Sequence, residues 1–452
     1  MRKRLLDILF WSVLSAAFIG PGTVTTATKA GVFYNFDLLW ALVFSTFATL
    51  LLQEAGARLA IRSHMNLGEA IAQRFARHPA RKGVLLLVIT AIVLGCAAYE
   101  AGNILGAVAG LTMIFNIPAF YFVAGIGLFA GLVFFLDSVH TIARVMGILV
   151  FFMGAAFFFT SLSLKPDWSA VLRGSLIPQL PSNRGGALLV LGLIGTTVIP
   201  YDLFLGSGVL SKKQSIKDMR FGLSAAIILG GIISMSIMGV GNAVSQGMTP
   251  EQRAGISFDY TLLTQTLENS LGIYAVYVFG FGMFAAGFSS AVTAPLASAI
   301  TAGSLFSNEK NKKKWASNQL YFKLVIAGVL GVGLLFGFLQ VKPIPAIIIT
   351  QAFNGMILPF IAIFLIYVIN DENIMGKEHV NGWLSNILMA LVLWITLLLG
   401  FTSILKSAGQ VIGFDPADSK AILLLAVSGV SFLIVFFVLT DIFRRRRKMS
   451  KK

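Results

Sequence analysis

The sequence predicts an all-α integral membrane protein of about twelve spans, and three observations carry that expectation. Of 452 residues, 57% are hydrophobic and only 12% charged, with mean hydropathy +0.84, whereas soluble domains carry about 25% charged residues. Apolar runs of about 20 residues recur along the whole chain, the length a helix needs to cross a ~30 Å hydrocarbon core. These runs do not alternate in polarity, which excludes the ~10-residue dyad pattern of a membrane β-barrel.

Taken in order, the runs fall near residues 9–33, 38–61, 84–111, 118–136, 142–162, 187–209, 221–245, 271–303, 320–340, 344–369, 383–405 and 420–441. The first is interrupted by Gly20-Pro21-Gly22, followed by Thr23, Thr25 and Thr26. The second carries Glu54 and Arg58, four apart on one helical face, the spacing of an intrahelical ion pair. The third carries Glu100 and Asn103. The sixth breaks at Gly195-Thr196-Thr197-Val198-Ile199-Pro200-Tyr201-Asp202, and the tenth holds Gln351. The 38 Phe residues are expected to face lipid and pack the core.

Charge fixes the orientation. On alternate loops the Lys and Arg residues divide 26 to one side and 7 to the other, with Lys29 and Arg58 inside spans. Such a bias places the basic side, and both termini, in the cytoplasm of a cell (inner or plasma) membrane. The net charge of +16 is therefore a topology signal and not a nucleic-acid footprint. The expected partners are the lipid bilayer and a small ion or small molecule. Cys96 is the single cysteine, so neither a disulfide framework nor a cysteine-based metal site is expected. The four histidines form no cluster, and no catalytic arrangement is present. The hydrophilic connections near 163–186, 246–270 and 304–319 are too short to fold alone.

The two interruptions carry the functional expectation. Lipid cannot satisfy a freed backbone group, so a broken helix survives only where protein or a cavity covers it. Gly and Pro together cost several kcal/mol in a helix interior. The breaks lie in spans one and six, matching places in two five-helix halves, and paired breaks of this kind mark the site of an inverted-repeat transporter. A channel would show rings of charge around a continuous polar pore, and none is seen. A sensor would usually carry a soluble domain.

The residues resemble the Nramp family of metal-ion transporters, which share the LeuT-type fold. The likeness covers roughly residues 9–377. Its second helix matches in Leu50-Leu51-Leu52-Gln53 through Ala57-Arg58-Leu59, and its eighth in Ala285-Ala286-Gly287-Phe288-Ser289-Ser290-Ala291-Val292-Thr293. The tenth matches in Gln351, Leu358-Pro359-Phe360, Asn370-Asp371 and Met375-Gly376-Lys377. The resemblance implies a LeuT-type inverted repeat of 5+5 helices, 1–162 and 187–370, two further helices at 383–441 and a basic tail at 442–452. It also implies alternating access, a divalent metal ion as cargo and a co-transported proton, with no other cofactor.

The site departs from the family's pattern. Its first-helix motif, Asp-Pro-Gly-Asn, is here Gly20-Pro21-Gly22-Thr23, and its sixth-helix Ala-x-x-Met-Pro-His becomes Thr196, Ile199, Pro200 and Tyr201. The Asp and Glu of its third helix become Glu100 and Asn103, a first-helix Gln becomes Lys29, and Gln351 is retained. Lys29, about 10 Å beyond Gly22, would repel a unit charge by about 1.7 kcal/mol at an effective dielectric of ~20, and a divalent ion by about double. The hydroxyl-rich break resembles those with which other LeuT-type transporters bind carboxylates, so a small organic acid or amino acid is the alternative cargo, with Lys29 in place of a coupling cation.

The expected substrate contacts are Gly20, Gly22, Thr23, Thr196, Ile199, Tyr201 and Gln351, with Thr23, Thr196 and Gln351 as the ligands of a metal. The expected coupling residues are Glu100, Asn103, Lys29 and Asp202. Glu100 would accept a proton or pair with Lys29 or Arg58. Asp202 would either bind a cation or cap the second half of the sixth helix.

Overall fold

A computed structural model describes residues 19–135, 139–181, 184–209, 215–307, 311–316, 319–412 and 420–449. Among these residues the regular structure is entirely helical. The elements are α1 (Pro21–Tyr34), α2 (Leu39–Ser63), α3 (Leu67–Arg74), α4 (Arg81–Ile114), α5 (Ala119–Phe135) and α6 (Val139–Ser163). They continue with α7 (Trp168–Leu176), α8 (Arg184–Thr197), α9 (Pro200–Val209), α10 (Ile216–Val244), α11 (Pro250–Ala254) and α12 (Tyr260–Leu271). The chain closes with α13 (Tyr274–Phe306), a 3₁₀ turn (Lys312–Trp315), α14 (Leu320–Phe338), α15 (Pro343–Ile369), α16 (Glu372–Met375), α17 (Trp383–Ile412) and α18 (Lys420–Met449).

The expected spans are met in order. Nine stretches among the described residues are long and apolar enough to cross a membrane: α2, α4, α8 with α9, α10, α13, α14 with the turn before it, α15, α17 and α18. Shorter apolar helices at Ala119–Phe134 and Gly147–Ser163 supply the fourth and fifth spans. Helix α1 forms the second half of the first span, whose residues 9–18 lie outside the described ones. The hydrophilic connections hold short capped helices: Asp167 caps α7, Asp259 caps α12, and Thr249 with Gln252 closes a capping box on α11.

Apolar side chains serve both surfaces. Phe129, Phe152, Phe159 and Phe437 are exposed at the perimeter, while Phe157, Phe204, Phe279 and Phe288 are buried. Bare backbone sets the closest crossings, as expected where packing rather than hydrophobicity holds spans together. Gly110 of α4 and Gly280 of α13 lie against each other's carbonyls. Gly31 of α1 sits on the Met238 carbonyl of α10, and Gly241 of α10 on that of Thr28. Gly195 of α8 sits on the Gln351 carbonyl of α15, and Gly355 of α15 on that of Leu191. This last crossing sets Gln351 beside the break between α8 and α9.

Candidate substrate site at the helix breaks

Helix α1 starts abruptly. Gly20 is extended (φ −92°, ψ 176°), Pro21 opens the first turn, and no side chain caps it. Pro at the first helical position loses nothing, because its missing N–H would have had no partner there. The three hydroxyls divide in a way the sequence did not show. Thr25 and Thr26 donate back to the carbonyls of Pro21 (2.7 Å) and Gly22 (2.8 Å) within the same helix. Thr23 turns instead toward α8, where its Oγ1 lies 2.9 Å from that of Thr196.

The sixth span is broken at Val198–Ile199, between the end of α8 and Pro200 at the start of α9. Helix α8 leaves carbonyls without intrahelical donors, and one of them, on Thr197, lies 3.1 Å from Thr49 Oγ1 of α2, which shares its single proton with the nearer Ser45 carbonyl at 2.7 Å. The Thr197 hydroxyl donates back to Leu193 at 3.0 Å. Thr49 is a structural partner of the break that the sequence offered no means of finding, since it lies 148 positions away.

The two breaks meet. A Cβ at Gly22 would overlap the Gln351 amide and lie 2.9 Å from Thr196 Oγ1. A Cβ at Gly20 would stand 3.3 Å from the Tyr99 hydroxyl of α4 and 3.7 Å from Ser290 Oγ of α13. Tyr99 and Tyr201 pack edge to face, with ring centroids 5.4 Å apart. Gly20, Gly22, Thr23, Thr196, Tyr201 and Gln351 therefore gather at one place, and Ile199 lies at the α8–α9 break, 1% exposed.

Many polar atoms here have no hydrogen-bond partner among the described residues. They are the Tyr99 and Tyr201 hydroxyls, Ser290 Oγ, Gln351 Oε1, Asn354 Nδ2 and both carboxylate oxygens of Asp202. Buried polar groups are almost always paired, so a cluster of orphans marks a place for water or a ligand. Tyr99, Ser290 and Asn354 are additions to the expected set. Each stood beside a residue already singled out: Tyr99 before Glu100, Ser290 in the eighth-helix run, and Asn354 one turn after Gln351.

Two expected pairings are corrected. Glu100 joins neither Lys29 nor Arg58: Asn103 Nδ2 donates to its Oε2 at 3.3 Å, its Oε1 has no partner among the described residues, and Gly333 of α14 presses its backbone against it. Arg58 is taken up by Glu54 at 3.1 Å, as its spacing predicts, and by the His379 carbonyl at 2.7 Å. The Lys29 ammonium lies 5.8 Å from the Phe33 ring centroid, one turn further along α1 and away from the break. Asp202 sits in the first turn of α9, but its carboxylate accepts no backbone N–H and so is not a hydrogen-bonding cap. Among the described residues no group of three or more His, Cys, Asp or Glu is placed to hold a metal ion. Any ion here would rest on hydroxyl, amide and single-carboxylate oxygens.

Residues 12–406 match the family model described as natural resistance-associated macrophage protein-like (Nramp). Metal transporter Nramp6 of Arabidopsis thaliana is 27% identical over 459 residues, spanning 97% of this chain and 84% of that protein. The divalent metal cation transporter MntH of Caldanaerobacter subterraneus subsp. tengcongensis is 26% identical over 415 residues, spanning 88% and 93%. Among solved structures, the Eremococcus coleocola manganese transporter in complex with an aromatic bis-isothiourea substituted compound superposes with a TM-score of 0.71 at 19% identity, covering 99% of this chain and 96% of that one. Mhp1, a nucleobase-cation-symport-1 family transporter, superposes with a TM-score of 0.56 at 13% identity, covering 97% and 93%. At these identities the structural likeness is one of fold. The match of the family model along most of the sequence shows the family: the chain belongs to the Nramp family of membrane transporters.

Proposed function

We propose that this transporter carries a divalent metal ion by alternating access, binding it where the breaks of the first and sixth spans face each other. The observation that carries the reading is the convergence of Gly22, Thr23, Thr196 and Gln351, from three separate helices, on two interrupted segments buried within the bundle. Two broken helices can rearrange at their breaks without unwinding a whole span, which is how a rocking bundle exposes one site to either side. The relatives named above as metal transporters support the cargo. Thr23 and Thr196 offer hydroxyl oxygens and Gln351 an unpartnered carbonyl oxygen, donors suited to hard ions. Proton coupling is the expected drive, with Glu100 as carrier, because its Oε1 is buried and unpartnered among the described residues.

One observation favours a second cargo, a small organic acid or amino acid: the α1 N-terminus meets the Thr196 end of α8 in a hydroxyl-rich break, with no cluster of His, Cys, Asp or Glu placed to hold a metal among the described residues. Helix N-termini attract anions. The purified protein in liposomes separates the two. We expect saturable uptake of Mn²⁺ or Mg²⁺, accelerated by an inward proton gradient and reduced about ten-fold or more by Gln351→Ala. Absence of metal uptake together with counterflow of an organic acid would sink the metal reading. Metal uptake indifferent to Gln351→Ala would move the site elsewhere.

A further inference from the structure

Beside the break between α8 and α9 stands a buried acidic residue, Asp202. It is 2% exposed, and neither carboxylate oxygen has a hydrogen-bond partner among the described residues. Burying an unpaired charge is far more costly than burying a paired one. Two basic residues within the spans are engaged elsewhere: Lys29 lies over Phe33, and Arg58 is held by Glu54 and the His379 carbonyl. The other buried carboxylate of the region, Glu100, has Asn103 as its partner and faces α14.

The surroundings of Asp202 are those of a cation subsite. Tyr201 precedes it, Tyr99 packs on Tyr201, and both hydroxyls are unpartnered like the Ser290 hydroxyl near Gly20. Asp202 follows Tyr201 in the first turn of α9, directly after the break. The start of α1 brings no charge of its own, since Gly20, Pro21, Gly22 and Thr23 are neutral. The N-terminus of α9 carries the partial positive charge of every helix start, which by itself repels a cation. A carboxylate in that first turn, ionised when a cation binds to it, reverses the sign of the local field.

We propose that the Asp202 carboxylate, in the first turn of α9 beside the break, is the anionic ligand of the transported ion, and that with the hydroxyls of Tyr99 and Tyr201 it forms an all-oxygen subsite selecting a hard divalent cation. The inference rests on the metal-ion reading above. Oxygen donors favour Mg²⁺ and Mn²⁺, while a thiol would draw softer ions such as Cd²⁺. Cys96, buried one turn before Tyr99 on α4, is the competing ligand. In this assignment its thiol is packing.

The test compares the full-length protein with Asp202→Asn, Tyr201→Phe and Cys96→Ser in liposomes, reading uptake of Mg²⁺, Mn²⁺ and Cd²⁺ and the metal-induced rise in thermal stability. Asp202→Asn is expected to lose uptake and metal-induced stabilisation by about ten-fold or more, and Cys96→Ser to keep both. If the wild-type protein moves none of the three ions, the metal reading itself falls. If it moves them and Asp202→Asn moves them equally well, only the Asp202 assignment falls. Should Asp202→Asn not fold, Tyr201→Phe, which removes one hydroxyl and keeps the ring, decides. A several-fold weaker metal response supports the subsite, and an unchanged one overturns it. Loss of metal uptake in Cys96→Ser would replace the all-oxygen site with a thiol-containing one.

Discussion

Thr23 and Thr196 meet across 173 positions of sequence, and around that contact the tolerance for extra atoms is small. Gly22 faces the Gln351 amide so closely that a methyl group would displace it. Gly22→Ala is therefore expected to fold, because Ala suits a helix better than Gly, yet to lose transport by about ten-fold or more through the displaced amide. Uptake beside a thermal melt of the same sample checks this, and full uptake would show that Gln351 does not bind cargo. Thr196→Val keeps the shape and removes the hydroxyl bridge to Thr23. A buried hydrogen bond of this kind is worth about 1 kcal/mol, so a drop of a few degrees in melting temperature and a several-fold loss in substrate affinity are expected.

Breaks persist because neighbouring elements satisfy what they expose. Thr49 of α2 holds the Thr197 carbonyl at the end of α8. Thr49→Val removes this shared hydrogen bond, costing about 1 kcal/mol, and a lowered melting temperature in detergent would show it. On the other break, Tyr260 of α12 lies 2.8 Å from Thr25 Oγ1, fixing a helix of the hydrophilic connection to α1. Burial pushes the Tyr260 phenol above its ordinary value, and the contact with Thr25 offsets part of that. A phenol raised on folding contributes stability that is complete below its unfolded value near ~10 and is lost as pH climbs beyond it. Thermal stability should thus fall between about pH 9.5 and 11 in the wild type, and less steeply in Tyr260→Phe. Equal slopes would remove Tyr260 as the cause.

Across the molecule, the ends of several helices are tied by one polar network. Arg58 of α2 reaches Glu54, the His379 carbonyl and Asn381 Oδ1. Arg220 of α10 bonds Glu54 at 2.7 Å. Asn370 and Asn386 exchange amide bonds at 2.8 and 3.0 Å, and Arg446 of α18 joins Asn370. Arg58→Lys would keep the charge and lose the fork that serves three acceptors at once. A loss of about 2–4 kcal/mol is expected because the partners are buried. Arg220→Ala, at an exposed position, should cost under about 1 kcal/mol. Melting temperatures of the two variants give the comparison, and equal effects would deny Arg58 its central place.

The sequence by itself determined the spans, their order and the two breaks, because hydrocarbon length and unsatisfied backbone are written locally in runs of Leu, Ile and Phe and in Gly20-Pro21-Gly22 and Val198-Ile199-Pro200. It also set the Glu54–Arg58 pair, four residues apart on one helix. Only the tertiary structure decided that Thr23 reaches Thr196, that Thr49 lies at the end of α8, that Tyr99 and Ser290 join the site, and that Asp202 is buried without a hydrogen-bond partner among the described residues while Lys29 lies over Phe33. Those facts depend on which helices touch. Glycine crossings such as Gly195 on Gln351 and Gly31 on Met238 set the contacts between residues far apart in the chain, and no local pattern encodes them.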